Sequence, residues 1–104
     1  MTQETKVRTI LIADDEPDIL EILHFNLSAE GYRVKSATNG NQALELAKLH
    51  KPDLIILDVM IPEIDGITVC ENIRLFNTEI PILILSAKNN SSDRVIGLQK
   101  GADD

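Results

Sequence analysis

A chain of 104 residues normally makes one domain with room for a real core, and its 43% hydrophobic content is that of a globular protein rather than a disordered one. The formal charge of −7 argues against a grip on nucleic acid or an anionic membrane by this chain alone, and favours a cation or a basic partner. No apolar run approaches the roughly 18 residues that cross a bilayer. The start, "MTQETKVRTIL", lacks the apolar core of a signal peptide, so a cytoplasmic location is expected.

After a few polar residues, "TILIA" (9–13) predicts a short β-branched strand. "DDE" follows, then Pro17, a residue suited to the first turn of a helix. Ile19, Leu20, Leu23 and Leu27 recur at helical spacing, and Gly31 supplies the stop. "YRVKSA" (32–37) predicts a second strand. "NQALELAKLH" (41–50) predicts a second helix, with Ala43, Leu44 and Ala47 on one face and Pro52 behind it. "LIILD" (54–58) is an almost unbroken apolar run with an acid at its tip, the pattern of a strand buried on both faces of a parallel sheet. A loop bearing Pro62 and Gly66 leads to "ITVCENIRL" (67–75), a third helix with Ile67, Cys70 and Ile73 on a shared face. Pro81 introduces a fourth strand, "ILILSA" (82–87). "SSDRVIGLQK" (91–100) predicts a fourth helix, with Asp93 in its first turn and Gly101 after it.

Strands alternating with helices indicate an α/β fold around a parallel sheet, with right-handed crossovers that place helices on both faces. The remaining side chains have plain readings. The single Cys70 is expected in or near the core rather than as a reactive thiol. Glu21, Glu30, Glu45, Glu71 and Glu79 are expected on solvated helix faces, and His24 and His50 in surface or structural roles. Phe25 and Tyr32 are expected in the core or at its boundary, and Phe76 partly exposed.

In an open parallel sheet, ligands bind beyond the carboxyl ends of the strands. Asp14 and Asp15 follow strand one, Asp58 ends strand three and Ser86 comes near the end of strand four, so all four belong to one rim. Strands one and three have to be neighbours for the acids to meet, a condition that the strand order 2-1-3-4 would satisfy. Three crowded carboxylates repel, and a cation between them relieves that repulsion. Hard oxygen donors specify Mg²⁺ or Mn²⁺ rather than a thiophilic metal, with the Met60 carbonyl available as a further ligand. A carboxylate beside such an ion can attack phosphorus to form an aspartyl phosphate. Asp58 stands alone at its strand tip and is the expected nucleophile. Asp14 and Asp15 suit the ion, and the Ser86 hydroxyl suits a phosphoryl oxygen. Any one acid after a strand is an ordinary cap or loop residue. The four together in one short chain are not.

"ILIADDEPDIL", "PDLIILDVMIPEIDG", "PILILSA" and "GADD", in this order and spacing, resemble the successive motifs of a response-regulator receiver domain of two-component signalling, from about Thr9 to Asp104. The resemblance implies a flavodoxin-like fold in which Asp58 takes a phosphoryl group from a phosphohistidine on a sensor histidine kinase or phosphotransfer protein. It also implies that Asp14, Asp15, Asp58 and the Met60 carbonyl hold Mg²⁺, with Asp15 the more direct ligand. Ser86 matches the Ser/Thr that hydrogen-bonds the phosphoryl group, and the small Ala87 beside it leaves access. Such a domain is a phosphoacceptor switch rather than an enzyme. "MIPEIDGI" and "GLQKGADD" resemble receivers joined to winged-helix DNA-binding domains, which implies a transcription-regulating output lying outside these residues.

In the family, "GADD" leads into a fifth strand, an aromatic switch residue, a phosphate-pairing lysine and a last helix, all beyond Asp104. Lys88 and Lys100 do not match that lysine and are expected to be solvated. The expectation for residues 1–104 is therefore a C-terminally incomplete receiver with short-lived phosphorylation. Strand four would be left as an open edge, a template for an edge-strand or swapped homodimer.

Rival readings differ at identifiable positions. A Mg²⁺-dependent phosphatase or phosphotransferase of the haloacid-dehalogenase type usually has a second Asp two residues after the nucleophile, where this chain has Met60. A flavin or nucleotide module needs a glycine-rich loop where this chain has "DDEP", and with 3% aromatic residues little is available to stack on a ring. An interaction module that takes no phosphate would not need Asp14, Asp15, Asp58 and Ser86 together, but the missing lysine leaves that reading open.

Overall fold

The computed structural model describes residues 7–87 and 94–97, with backbone alone at 86–87 and 94–97. Strands β1 (Thr9–Ala13), β2 (Arg33–Ala37), β3 (Leu54–Asp58) and β4 (Ile82–Ala87) alternate with helices α1 (Pro17–Ala29), α2 (Gly40–His50) and α3 (Gly66–Phe76), and β5 (Arg94–Gly97) follows. The sheet order is β2-β1-β3-β4-β5. The first four strands are parallel, which reproduces the predicted 2-1-3-4 arrangement of a flavodoxin-like fold. Ala13 lies opposite both Ala37 and Leu57, and Asp58 lies opposite Leu85, so the strands end nearly in step.

Side chains alternate across each strand, and the two faces of the sheet are covered unequally. On one face Leu11, Ala13, Ala37, Ile55, Leu57, Ile82 and Ile84 pack against Ala43 and Ala47 of α2 and Val69, Cys70 and Ile73 of α3. Burial pushes the Cys70 thiol above its ordinary range, which leaves it protonated and inert. On the other face, α1 rests its half-buried Ile19, Leu20, Leu23 and Leu27, and no residue of α1 is fully buried. There Ile10 and Ile12 are covered, but Leu54 and Ile56 are only half-buried. The expectation that β3 is sealed on both faces is thus corrected for its α1 side, where one helix spans less width than two. Phe25 is corrected as well. It is 73% exposed, because it falls off the stripe formed by Leu20, Leu23 and Leu27.

Local chemistry accounts for the helix ends. Pro17 opens α1, and Gly31, at φ 98°, makes the left-handed turn out of it. Asn39 caps α2 by accepting from the Gln42 N–H at 2.7 Å, while the Gln42 amide oxygen reaches back to the Thr38 N–H at 2.8 Å. Asp65 caps α3 by accepting from the Thr68 N–H at 2.9 Å.

The fourth predicted helix, over 91–100, is overturned at its centre. Arg94–Gly97 is a strand antiparallel to β4, with Val95 opposite Ser86 and Ile96 opposite Leu85. An open flank on β4 presents a row of unpaired N–H and C=O groups, and the β-branched pair Val95–Ile96 suits a pleated ladder better than a helix turn. Pairing across the sheet therefore overrides the local helical pattern, and the open edge expected on β4 is occupied. Lys88, Asp93, Lys100, Gly101 and the "GADD" end lie outside the described residues.

Candidate acidic site

Asp14 follows β1 directly, and its N–H donates to the Ala37 carbonyl at 3.0 Å, so the chain leaves the sheet in a defined direction. Its side chain accepts from the Glu16 N–H at 2.9 Å. Asp58 ends β3, where the following Val59 N–H continues the ladder to the Leu85 carbonyl at 3.0 Å. The Asp58 carboxylate accepts from the Met60 N–H at 3.1 Å. β1 and β3 are adjacent, which brings these two strand tips together from distant parts of the chain.

One carboxylate oxygen from each of Asp14, Asp15 and Asp58 lies within 4.8 Å of the others. Asp14 and Asp58 are buried at 0% and 2% exposure, and Asp15 is exposed at the mouth. Two acids withdrawn from water beside a third make a strongly negative recess with hard oxygen donors and an open side. That donor set fits a small divalent cation such as Mg²⁺, which dehydrates reluctantly and keeps several waters.

The loop from β3 to α3 leaves directly from Asp58 and folds back on the strand end. The Gly66 N–H donates to the Val59 carbonyl at 3.0 Å, and a Cβ at Gly66 would come within 2.6 Å of the Asp58 carbonyl oxygen and of the Val59 Cα. Only glycine lets the start of α3 come this close to the Asp58 backbone. Asp65, at the end of the loop, has its carboxyl held below the usual aspartate range, chiefly by the Thr68 N–H. Met60, whose N–H bonds to the Asp58 carboxylate, is 70% exposed. Ser86 occupies the backbone ladder of β4 one position beyond Leu85; its hydroxyl lies outside what the structure describes.

Three residues that hold the loop after Asp58 were not anticipated from the sequence: Gly40, Asn41 and Glu63. The Gly40 N–H donates to the Pro62 carbonyl at 3.0 Å, and the Asn41 side-chain amide donates to Glu63 at 2.7 Å. "NG" before a helix signals a turn. No spacing rule links Asn41 to Glu63.

Residues 10–104 match the family model described as the response regulator receiver domain. The chain belongs to that family. This receiver domain is 48% identical, over 97 residues, to the alkaline phosphatase synthesis transcriptional regulatory protein PhoP of Bacillus subtilis, a match covering 93% of this chain and 40% of that protein. The chain thus spans well under half the length of that curated relative. Among solved structures, a response regulator from Chloroflexus aurantiacus is 40% identical, with a TM-score of 0.74 over 84% of this chain and 73% of that one. A chemotaxis response regulator of Vibrio cholerae superposes with a TM-score of 0.77 at 28% identity, over 84% of this chain and 74% of its own. Receivers are signalling switches of two-component systems. Among the described residues, no helix of this one is long and apolar enough to cross a membrane.

Proposed function

We propose that residues 1–104 act as a phosphorylation-dependent receiver in which Asp58 accepts a phosphoryl group from the phosphohistidine of a partner histidine kinase or phosphotransfer protein. The observation that carries this reading is the convergence of Asp14, Asp15 and Asp58 within 4.8 Å at the carboxyl ends of β1 and the adjacent β3. A carboxylate oxygen of Asp58 attacks phosphorus as the phosphorus–nitrogen bond of the donor breaks. The imidazole leaves with the electron pair and takes up a proton, and Asp58 becomes a mixed anhydride that water later returns to carboxylate and phosphate.

Asp14, Asp15, Asp58 and the Met60 carbonyl would hold Mg²⁺. When bound, the ion neutralises charge on the transferring oxygens and in the acid cluster. The chain's own part is orientation: the Glu16 and Met60 N–H groups fix the Asp14 and Asp58 carboxylates, and burial keeps competing water away. Ser86 is assigned the hydrogen bond to the phosphoryl group. The likeness to PhoP, a transcriptional regulatory protein, supports transcription regulation as the output.

The test is Mg²⁺-dependent labelling by acetyl phosphate. The parent chain is expected to gain one phosphoryl group, and Asp58→Asn or a chelator to abolish the gain. Equal labelling of parent and variant removes Asp58 from this role.

A further inference from the structure

We propose that the first turn of α2 positions the β3–α3 loop, and through it the cation-binding geometry at Asp58, by means of Gly40 and the Asn41–Glu63 hydrogen bond. This inference rests on the function proposed above and assigns it positioning residues that lie on a different helix from the acids.

The loop is pinned at both its base and its crown. At the base, Gly66 bonds to Val59, and the Met60 N–H donates to the Asp58 carboxylate. At the crown, the Pro62 carbonyl accepts from the Gly40 N–H at 3.0 Å. A Cβ at Gly40 would collide with the Ile64 carbonyl oxygen and come within 2.8 Å of the Ile64 Cβ, so the loop lies directly on the backbone of α2. Glu63, between these contacts, has φ 74°, in the left-handed region that favours glycine. A glutamate here is conformationally unfavourable, and its side chain reaches Asn41 at 2.7 Å. The strained residue therefore also supplies the side-chain tie from the loop to α2, a combination that a loop serving only as a connector does not need.

With the crown released, Met60 and its bond to Asp58 gain freedom. The cation then has to order a mobile set of ligands instead of meeting an arranged one. Loss of the tie is accordingly read in cation affinity and in the rate of phosphoryl uptake, and less in global stability, because Asn41 and Glu63 are exposed and outside the core.

The experiment titrates Mn²⁺ into the parent chain, Asn41→Ala, Glu63→Ala, Glu63→Gln and Gly40→Ala. Paramagnetic broadening of amide signals gives affinity, urea unfolding gives stability, and acetyl phosphate gives the uptake rate. Asn41→Ala and Glu63→Ala are expected to weaken Mn²⁺ binding about five-fold, the worth of one hydrogen bond. Glu63→Gln, which keeps an acceptor for Asn41, is expected to restore most of the affinity. Gly40→Ala is expected to shift the amides of residues 58–66 and to weaken binding further. Parent-like Mn²⁺ affinity in Asn41→Ala and Glu63→Ala overturns the proposal, whether or not they unfold more easily. A parent that binds Mn²⁺ but takes no phosphoryl group removes the proposed function alone, and the affinities still judge the positioning role. A parent that binds no Mn²⁺ removes both.

Discussion

Asp14 and Asp58 are acids withdrawn from water next to each other, an arrangement that costs folding free energy unless something opposes their charge. Asparagine at position 58 keeps the shape and the acceptor for the Met60 N–H while deleting one charge from the cluster. Asp58→Asn is therefore expected to raise the urea midpoint in the presence of chelator. The parent, unlike the variant, is expected to gain stability when Mg²⁺ is added, since an ion that binds only the folded state stabilises it by mass action. A variant less stable than the parent in chelator would show that repulsion is not the governing force at this position. The place of each acid at a strand end was legible from the apolar run before it. Their burial was not, because a chain pattern does not say what packs around a strand tip.

The caps of α2 and α3 look alike in sequence and differ in charge. Asn39→Ala is expected to cost about 1 kcal/mol of unfolding free energy at any pH, because an amide cap does not titrate. Asp65 is different: its carboxyl is held below the usual aspartate range by the Thr68 N–H. Its contribution is fully present above the unfolded-state value and is lost as pH falls through the lower folded-state value. The stability gap between the parent and Asp65→Ala is thus expected near neutrality and to close in acid, whereas the Asn39→Ala gap persists. Urea unfolding of both variants at neutral and acid pH distinguishes them, and a gap for Asp65→Ala that survives full acidification refutes the charge component. The ends of α1 were readable from Pro17 and Gly31, whose backbone preferences act within a turn or two. Arg94–Gly97 was misread as helix because its local spacing tolerates either state, and the choice fell to the unpaired flank of β4.

Across the molecule, the unequal cover of the sheet makes neighbouring residues of β3 unequal. Ile55 is fully buried between the sheet and the α2–α3 layer, whereas Ile56 lies on the opposite face of the strand and is half-buried. Ile55→Ala is expected to cost about 3 to 4 kcal/mol, transfer and cavity together. Ile56→Ala is expected to cost about half of that or less, because its side chain already meets water and leaves no closed cavity. Equal losses in urea unfolding would mean that the α1 face is sealed as tightly as the other. The alternation of strands and helices, the acids at strand ends and the order 2-1-3-4 were all readable before any coordinates, the order through the family motifs. Hydrophobic period and turn chemistry act between residues a few positions apart, and that information lies along the chain. Folding alone determined that Leu54 and Ile56 stay half-buried on the α1 side of the sheet, that β5 pairs with β4, and that Gly40 and Asn41 meet the loop that follows Asp58. Each of these depends on which surfaces arrive side by side once the strands have paired, and neighbours in space carry no mark of one another in the residues beside them.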